Sequence, residues 1–331
     1  MKAVWYQRVG SAREVLQFGD LPTPQPAPGE VRVRLLASGV NPSDVKARAG
    51  ARGALAFDRV IPHSDGAGVI DAVGLGVAVA RVGERVWTWN AAWRRPFGTC
   101  AEFVCLPEAQ AVRMPEELDF GAGACLGVPA MTAAHATLCD GGLEGQTVLV
   151  TGGAGAVGHY AIQFARWAGA RVIASVSGVE KAAHARSAGA DHVVNYREVD
   201  FAESVMDLTQ GAGVDRIVEV EFGGNLAASN RVLKVGGVIA AYGSMAAPDP
   251  ALPFYPMMFN HTTLRMIVVY LLAADERRLA CERINRALID GALTHAIAAR
   301  FPLEYVAEAH LAVEDGAMIG NVVVDIQTAD S

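Results

Sequence analysis

Apolar and polar positions alternate cleanly only in the first third of the chain. Residues 2–6 (KAVWY) and 31–36 (VRVRLL) read as strands, the second with apolar and basic residues on opposite faces. Between them Pro22, Pro24, Pro26 and Pro28 occupy every second position before Gly29 and Glu30. That run fixes φ and removes donors, so it predicts an extended connector ending in a turn. Short segments follow at 68–73, 85–89 and 101–106, with Gly and Pro between them, a spacing that suggests a small barrel.

After about residue 120 the pattern changes. Apolar strands at 147–151, 171–175, 192–194, 216–220 and 238–241 alternate with helix-like stretches at 156–169, 180–188, 201–210 and 226–233. Nearly continuous apolar strands interleaved with helices predict an α/β unit, a parallel sheet covered on both faces. From Phe301 to Ile326 the chain returns to a strand-and-helix mixture ending in Asn321-Val-Val-Val-Asp-Ile, which is expected to pack on the N-terminal part. No internal repeat or low-complexity tract is visible.

Composition narrows the function classes. The 331 residues suffice for two domains, and 52% hydrophobic against 19% charged residues favours packed cores over disorder. A net charge of −7 offers no bulk attraction to nucleic acid or anionic lipid. Five cysteines (Cys100, Cys105, Cys125, Cys139, Cys281) are odd in number with no CxxC pair, unlike a disulfide scaffold or a structural zinc lobe. The start, MKAVWYQRVG, lacks the features of a signal peptide, and apolar runs such as 267–274 are too short to span a bilayer. A cytoplasmic protein is the expectation.

The strongest chemical signal is Val148-Leu-Val-Thr-Gly152-Gly153-Ala-Gly155-Ala156-Val157-Gly158, with a strand before it and a helix after. Gly153, Gly155 and Gly158 satisfy GxGxxG, a dinucleotide-binding pattern in that context. The early glycines would allow a tight turn and close approach to a pyrophosphate, while Gly158 would let the helix pack on the sheet. Amides at the helix start, with Ala156 and Val157 among them, and the helix dipole favour an anion there. An NAD site usually carries an acid about 20 residues on. Here the second strand ends Ile173-Ala-Ser175-Val-Ser177-Gly178, with Lys181, Tyr196 and Arg197 following. Hydroxyls and a cation suit a 2′-phosphate, so NADPH is the expected cofactor. The same residues also suit a solvated helix face and an exposed turn, and Glu180 dilutes the positive charge.

These motifs, in this order, resemble the medium-chain dehydrogenase/reductase superfamily, and within it the zinc-free quinone oxidoreductase branch, like zeta-crystallin. The markers are Pro28-Gly29-Glu30-Val31, Ala37-Ser-Gly-Val-Asn41-Pro42-Ser43-Asp44, Asp65-Gly-Ala-Gly-Val69, Val82-Gly-Glu-Arg-Val86, the glycine loop, Gly189-Ala-Asp191 and Gly236-Gly237. The resemblance implies a GroES-like β-rich catalytic domain, 1–123 completed by 300–331, and a Rossmann NADPH-binding domain, doubly wound, at 124–299. It also implies a homodimer through the edge strand of the cofactor sheet.

The branch rests on metal chemistry. Zinc-dependent relatives place Cys and His where this chain has Asn41 and Pro42, and His where it has Ser64. Asn and Pro are no zinc ligands, and His63, one position out of register, reads as a polar loop residue. No metal is expected. Asn41, by resemblance, lies beside the nicotinamide, and Lys46 replaces a tyrosine common in the branch. Asn41, Asp44 and Lys46 are therefore the catalytic candidates, although Asn41, Pro42 and Asp44 equally suit the N-cap, N1 and N3 of a helix. By resemblance Thr132 lies near the nicotinamide ribose, and Asn321 stands where a lysine or arginine is usual.

Gly243 and Ser244 follow a predicted strand end, where α/β sheets bind ligands. Trp87, Trp89, Trp93, Phe97 and the aromatics of 254–259 are candidates for a substrate wall or for core packing, and Glu219 and Glu221 share a predicted strand face without partners. The expected function is an NADPH-dependent reduction of a quinone or related conjugated carbonyl, with enone or enoyl reduction as the alternative acceptor chemistry. The rival from another class is a non-catalytic NADPH-binding protein.

Overall fold

The alternation near the N-terminus forms two short antiparallel strands, β1 (Lys2–Trp5) and β2 (Gln17–Asp20), separated by a single helical turn, α1 (Ala12–Val15). The computed structural model describes residues 1–51 and 53–326. The segment VRVRLL belongs to an eleven-residue strand, β3 (Glu30–Val40). Helix α2 (Pro42–Ala49) starts immediately beyond it: Asn41 is extended, Pro42 pre-sets the first φ, and the Asp44 carboxylate accepts from the Asn41 backbone N–H at 2.9 Å. Gly50, left-handed at φ 95°, ends the helix. Strands β4 (Asp65–Val73), β5 (Arg85–Thr88), β6 (Phe103–Pro107) and β7 (Ala111–Arg113) follow, then the short α3 (Phe120–Gly123).

Residues 130–294 form the second of two compact units, the first being 1–129 with the segment from His295 onward. It opens with α4 (Met131–Leu138) and β8 (Thr147–Val150), followed by α5 (Ala156–Trp167), β9 (Arg171–Val176), α6 (Val179–Ser187), β10 (His192–Asn195) and α7 (Phe201–Leu208). It continues with β11 (Val214–Glu219), α8 (Phe222–Val232), β12 (Leu233–Ala241), α9 (Phe254–Phe259), β13 (Thr263–Met266) and α10 (Ala274–Ile289). Every strand pairing in its six-stranded sheet is parallel, in the order β10-β9-β8-β11-β12-β13. Counted within the unit, that order is 3-2-1-4-5-6, the doubly wound arrangement whose reversal between β8 and β11 opens a ligand crevice.

The apolar strand positions pack as rows. Ile173, Leu149, Ile217 and Ile239 are register neighbours across four strands, and all are fully buried. Each such side chain contributes about 1.5–3 kcal/mol by leaving water. Two expectations change here. Glu219 ends β11, but Glu221 lies beyond it and caps α8, so the two acids do not share a strand face. Strand β12 also begins at Leu233, directly after α8 and ahead of the expected 238, and bulges at the left-handed Gly236.

The C-terminal segment adds β14 (Ile297–Pro302), α11 (Val306–Asp315) and β15 (Asn321–Asp325) to the first unit. Its sheet runs β14-β15-β3-β4-β5-β7. Strand β3 is the spine: β4 pairs along one edge, while β6 and β15 divide the other edge end to end. The path has two ends, β14 and β7, so the ring of strands suggested by the spacing stays open in the described ladder. Val31, Val33 and Leu35 of β3 form the core with Ile70, Val86, Val104 and Val324.

Candidate active site

In the second unit, the turn after β8 gives each glycine a separate role. Gly152 is left-handed at φ 63°, so the tight turn sits there, outside the GxGxxG triplet. A Cβ on Gly153 would lie 2.9 Å from the Ala174 Cβ and 3.2 Å from the Ile162 Cδ1, so this glycine lets the loop close onto the sheet. A Cβ on Gly158 would lie 2.3 Å from the Gly152 carbonyl oxygen and 2.9 Å from the Gly153 Cα, so helix α5 runs against its own loop. Gly155 is the contrast. It is exposed, and a Cβ there would meet only the Gly152 carbonyl oxygen, at 3.4 Å. The first i→i−4 bond of α5 is His159 N–H to the Gly155 carbonyl, so the amides of Ala156, Val157 and Gly158 precede the helical ladder. The result is an open cradle of amides at the positive end of a twelve-residue helix.

Strand β9 ends beside this loop. Ser175 is buried; its hydroxyl accepts from the Gly152 N–H at 3.4 Å and its carbonyl from the Gly153 N–H at 2.9 Å. One turn on, Lys181 Nζ donates to Ser177 Oγ at 3.2 Å, bringing a cation to the hydroxyl at the strand end. Tyr196 follows β10 and is half exposed. A cavity of about 360 Å³ opens here, lined by Thr151, Gly152, Ser175, Tyr196, Phe201, Val220, Glu221, Asn225 and Ala228. These residues lie at or beyond the C-terminal ends of β8 to β11, where the strand reversal places a crevice.

The two acids have full sets of partners. Glu219 is fully buried and accepts from Thr151 Oγ1 (2.7 Å), Glu221 N (2.8 Å), Asn225 Nδ2 (2.9 Å) and Ser229 Oγ (3.2 Å). It ties β8, β11 and α8 together at the floor of the crevice. The Glu221 carboxylate accepts from the N–H groups of Met245 (2.8 Å) and Ala246 (3.0 Å), holding the segment after β12. Ser244 Oγ accepts from the Gly223 N–H (2.9 Å) and donates to the Ala247 carbonyl (2.6 Å), and a Cβ on Gly243 would lie 2.4 Å from the Val220 carbonyl oxygen. Gly243 and Ser244 thus sit tightly against α8. Thr132 is buried within α4.

In the first unit two of the catalytic candidates, Asn41 and Asp44, stand beside the buried carboxyl of Asp65. Asn41 Nδ2 donates to Asp65 Oδ2 at 2.7 Å, and the Val128 N–H donates to the same oxygen at 2.7 Å. The other oxygen, Oδ1, is buried against Gly127, where a Cβ would come within 2.1 Å, and it has no partner among the described residues. Burial raises the Asp65 pKa well above the usual carboxylate range; the Val128 and Asn41 bonds oppose this, and the nearby Asp44 charge adds to it. Asp44 is buried as the helix cap, while Lys46 is exposed on α2. A small cavity beside Asp44 is lined also by Tyr6, Ser43, Pro62, His63 and Trp93. Asn321 is buried in β15, and its side chain donates to the Ala296 carbonyl at 3.1 Å.

His63 lies in the loop before β4, as the sequence suggests, but it is buried rather than solvated. It is fully buried, left-handed at φ 76°, and both ring nitrogens have partners, Ser38 Oγ and His310 Nε2, each at 2.9 Å. With Asn41 turned to Asp65, Pro42 without a donor atom and His63 engaged at both nitrogens, the donor set here does not fit a zinc ion. Among the described residues, no three His, Cys, Asp or Glu side chains come together as a metal cluster. The aromatic candidates divide: Trp87 and Trp89 are buried, while Phe254, Tyr255 and Phe259 stand exposed on α9.

Two family models match the chain: an alcohol dehydrogenase GroES-like domain over residues 27–116, and a zinc-binding dehydrogenase over 156–286. A 2-haloacrylate reductase from a Burkholderia species is 32% identical over 90% of this chain and 91% of its own length. The chain belongs to the quinone oxidoreductase branch of the medium-chain dehydrogenase/reductase superfamily. It is an oxidoreductase. Within the branch, human quinone oxidoreductase is 29% identical over 94% of this chain and 93% of its own length. Two solved structures superpose over nearly the whole chain. One is a mycobacterial protein complexed with NADPH (30% identity, TM-score 0.86, 98% of this chain and 100% of that one). The other is an NAD-dependent alcohol dehydrogenase (31% identity, TM-score 0.89, 99% and 100%).

Two residues of this oxidoreductase's crevice and core receive no role from the sequence. Asp65 lay in plain view inside the Asp65-Gly-Ala-Gly-Val marker, and an acid before a glycine-rich strand was a usable signal. Glu219 carried only the signal of an acid within an apolar strand; its four partners come from two segments, Thr151 after β8 and Glu221, Asn225 and Ser229 at the start of α8 and within it.

Proposed function

We propose that the protein is an NADPH-dependent reductase that passes hydride to a quinone or another conjugated carbonyl, and that it does so without zinc. The observation that carries this reading is the cradle at Gly155, Ala156 and Val157, combined with a β9 tip that carries Ser175 and Ser177 where an acid would stand, Ser177 accepting from Lys181 of α6. The residues fit the cofactor: amides and the α5 dipole for the pyrophosphate, hydroxyls, Lys181 and Tyr196 for the 2′-phosphate side. Gly153 and Gly158 shape the loop, while Thr132, Gly243 and Ser244 serve the nicotinamide half; the Asn321 side chain remains with Ala296. When bound, NADPH supplies a hydride from its nicotinamide ring.

The chain's own residues do the rest. Asp65 fixes one N–H of the Asn41 amide, which leaves the second N–H for the oxygen that gains charge on the acceptor. Asp44 holds the start of α2, and Lys46 on the same helix supplies a proton or shields the anionic product. The activated alkene named for the Burkholderia relative supports an enone as the alternative acceptor. A homodimer would form through β13, the sheet edge, where Met266 and the neighbouring α9 aromatics are exposed. Five free cysteines suit the reducing cytoplasm, and none of the described helices is long and apolar enough to cross a membrane.

The test is NADPH oxidation, followed by nicotinamide absorbance, across a panel of quinones and enones. Turnover with at least one of them is expected, with NADPH preferred over NADH. Tight NADPH binding with no oxidation would instead identify a silent NADPH-binding protein, the reading that the exposed Lys46 in place of a tyrosine favours.

A further inference from the structure

The first unit buries two histidines that the reading above does not use. His63 precedes β4 and His310 lies in the middle of α11; both are fully buried, and their Nε2 atoms are 2.9 Å apart. The ring planes differ by 24° with centroids 5.1 Å apart. That separation exceeds the N···N contact by about two ring radii, so the rings meet end to end and share one hydrogen bond. His63 holds a left-handed backbone to reach this place.

From His63 the contacts continue inward. Its Nδ1 is 2.9 Å from Ser38 Oγ, Ser38 Oγ is 2.8 Å from Thr99 Oγ1, and Thr99 Oγ1 is 2.6 Å from the Asp65 carbonyl oxygen. The row ends at the residue whose carboxyl holds Asn41. A carbonyl only accepts, and Thr99 Oγ1 is much nearer to it than Ser38 Oγ, which lies 3.4 Å from the same oxygen; with Thr99 as its donor the protons in the row follow. Thr99 donates to Asp65, so Ser38 donates to Thr99. His63 then donates to Ser38 from Nδ1, and its bare Nε2 accepts from the Nε2–H of His310. Both rings are neutral, in opposite tautomers. A proton added to His63 Nε2 would set two N–H groups against each other.

The surroundings keep the pair uncharged. Burial holds the His63 pKa at about 3 and pushes that of His310 well below its usual value, with His63 and Arg48 adding to burial in the second case. Arg48, buried on α2, bonds the Gly10 carbonyl and Glu314, one turn beyond His310. Asp44 and Asp65 stand on the His63 side. At the surface, Arg13 meets Glu308 between α1 and α11, and Arg300 meets Asp325 between β14 and β15.

We propose that the neutral His63–His310 pair is a positioning element for Asn41, locking Ser38 and Thr99 onto the Asp65 backbone and so aiming the Asp65 carboxyl at the Asn41 amide. It rests on the role given to Asn41 above. Its test uses the full-length protein and the variants H310L and H310Q, since a glutamine amide keeps the donor toward His63 and leucine removes it. In nitrogen-15 spectra of the histidine rings, His63 should carry its proton only on Nδ1 and His310 only on Nε2, unchanged between about pH 7 and 5. H310L should displace the Asn41 side-chain amide signal and lower kcat by about tenfold or more, with NADPH affinity within about twofold of wild type. H310Q should restore both.

A ring that is cationic in this pH range, a proton on His63 Nε2 or on His310 Nδ1, an unmoved Asn41 signal, or an H310Q as impaired as H310L would each overturn the proposal. If the wild type oxidises no NADPH, the reductase reading fails, while the tautomers and the Asn41 signal still decide this one.

Discussion

Two neighbouring glycine substitutions separate what the loop needs in order to fold from what it needs in order to bind. In G158A the new Cβ would stand 2.3 Å from the Gly152 carbonyl oxygen and 2.9 Å from the Gly153 Cα. Both are backbone atoms, so relief requires moving α5 or the loop. Overpacking of this kind costs about 1–3 kcal/mol, and rigid neighbours put G158A near the upper end. For a domain of about 150–250 residues that lowers Tm by about 6–12 °C. In G155A the backbone, φ −77° and ψ 165°, suits alanine, and the nearest atom is 3.4 Å away. Its stability should stay within about 1 kcal/mol of wild type. The new methyl would nevertheless stand in the exposed cradle and hold a pyrophosphate off the amides, weakening NADPH by about a hundredfold, or about 2.7 kcal/mol. Thermal melting without cofactor and fluorescence titration with NADPH measure the two effects separately. G155A binding as tightly as wild type, or G158A melting at the wild-type temperature, would refute this division of roles.

Three further outcomes follow from the same contacts. K181A should weaken NADPH by about tenfold while leaving NADH affinity unchanged, because only the former carries the 2′-phosphate; equal effects on both would contradict the placement. E219L strands donors from Thr151, Asn225 and Ser229, and should cost about 3 kcal/mol or more in denaturant unfolding, against which an unchanged midpoint would count. His159 is held neutral, its pKa lowered to about 4 by burial, then by His184, with the Thr294 carbonyl opposing. As pH falls from about 6.5 toward 4 the unfolded chain binds a proton that the folded chain refuses, so this residue's contribution to stability falls with pH. H159Q should flatten the dependence of unfolding free energy on pH by about 1.4 kcal/mol per unit in that window, and identical slopes would contradict it.

Much of this molecule is visible in its chain, for reasons that can be named. The strands of the second unit are legible because both faces of a parallel sheet are covered, which forces near-continuous apolar runs such as Val148-Leu149-Val150. The glycine loop is legible because its backbone geometry excludes side chains, although the sequence does not show that Gly152 makes the turn while Gly153 serves packing. What escapes is long-range pairing. Nothing near His63 in sequence announces His310, and nothing around Glu219 shows that Thr151 lies beside it, because topology makes those contacts. Glu221 differs for a local reason: β11 stops at Glu219, and the chain turns at Val220 so that Glu221 caps α8. The aromatics of α9 read as core or pocket and stand exposed, since composition does not reveal which face of a short helix remains uncovered.

The most direct measurement follows deuterium from NADPH labelled at the transferring carbon into an enone product, using protein first dialysed against a strong chelator. One deuterium bound to carbon in the product is expected, with a rate unchanged by the chelator. An unlabelled product, or a rate abolished by chelation and restored by zinc, would contradict it.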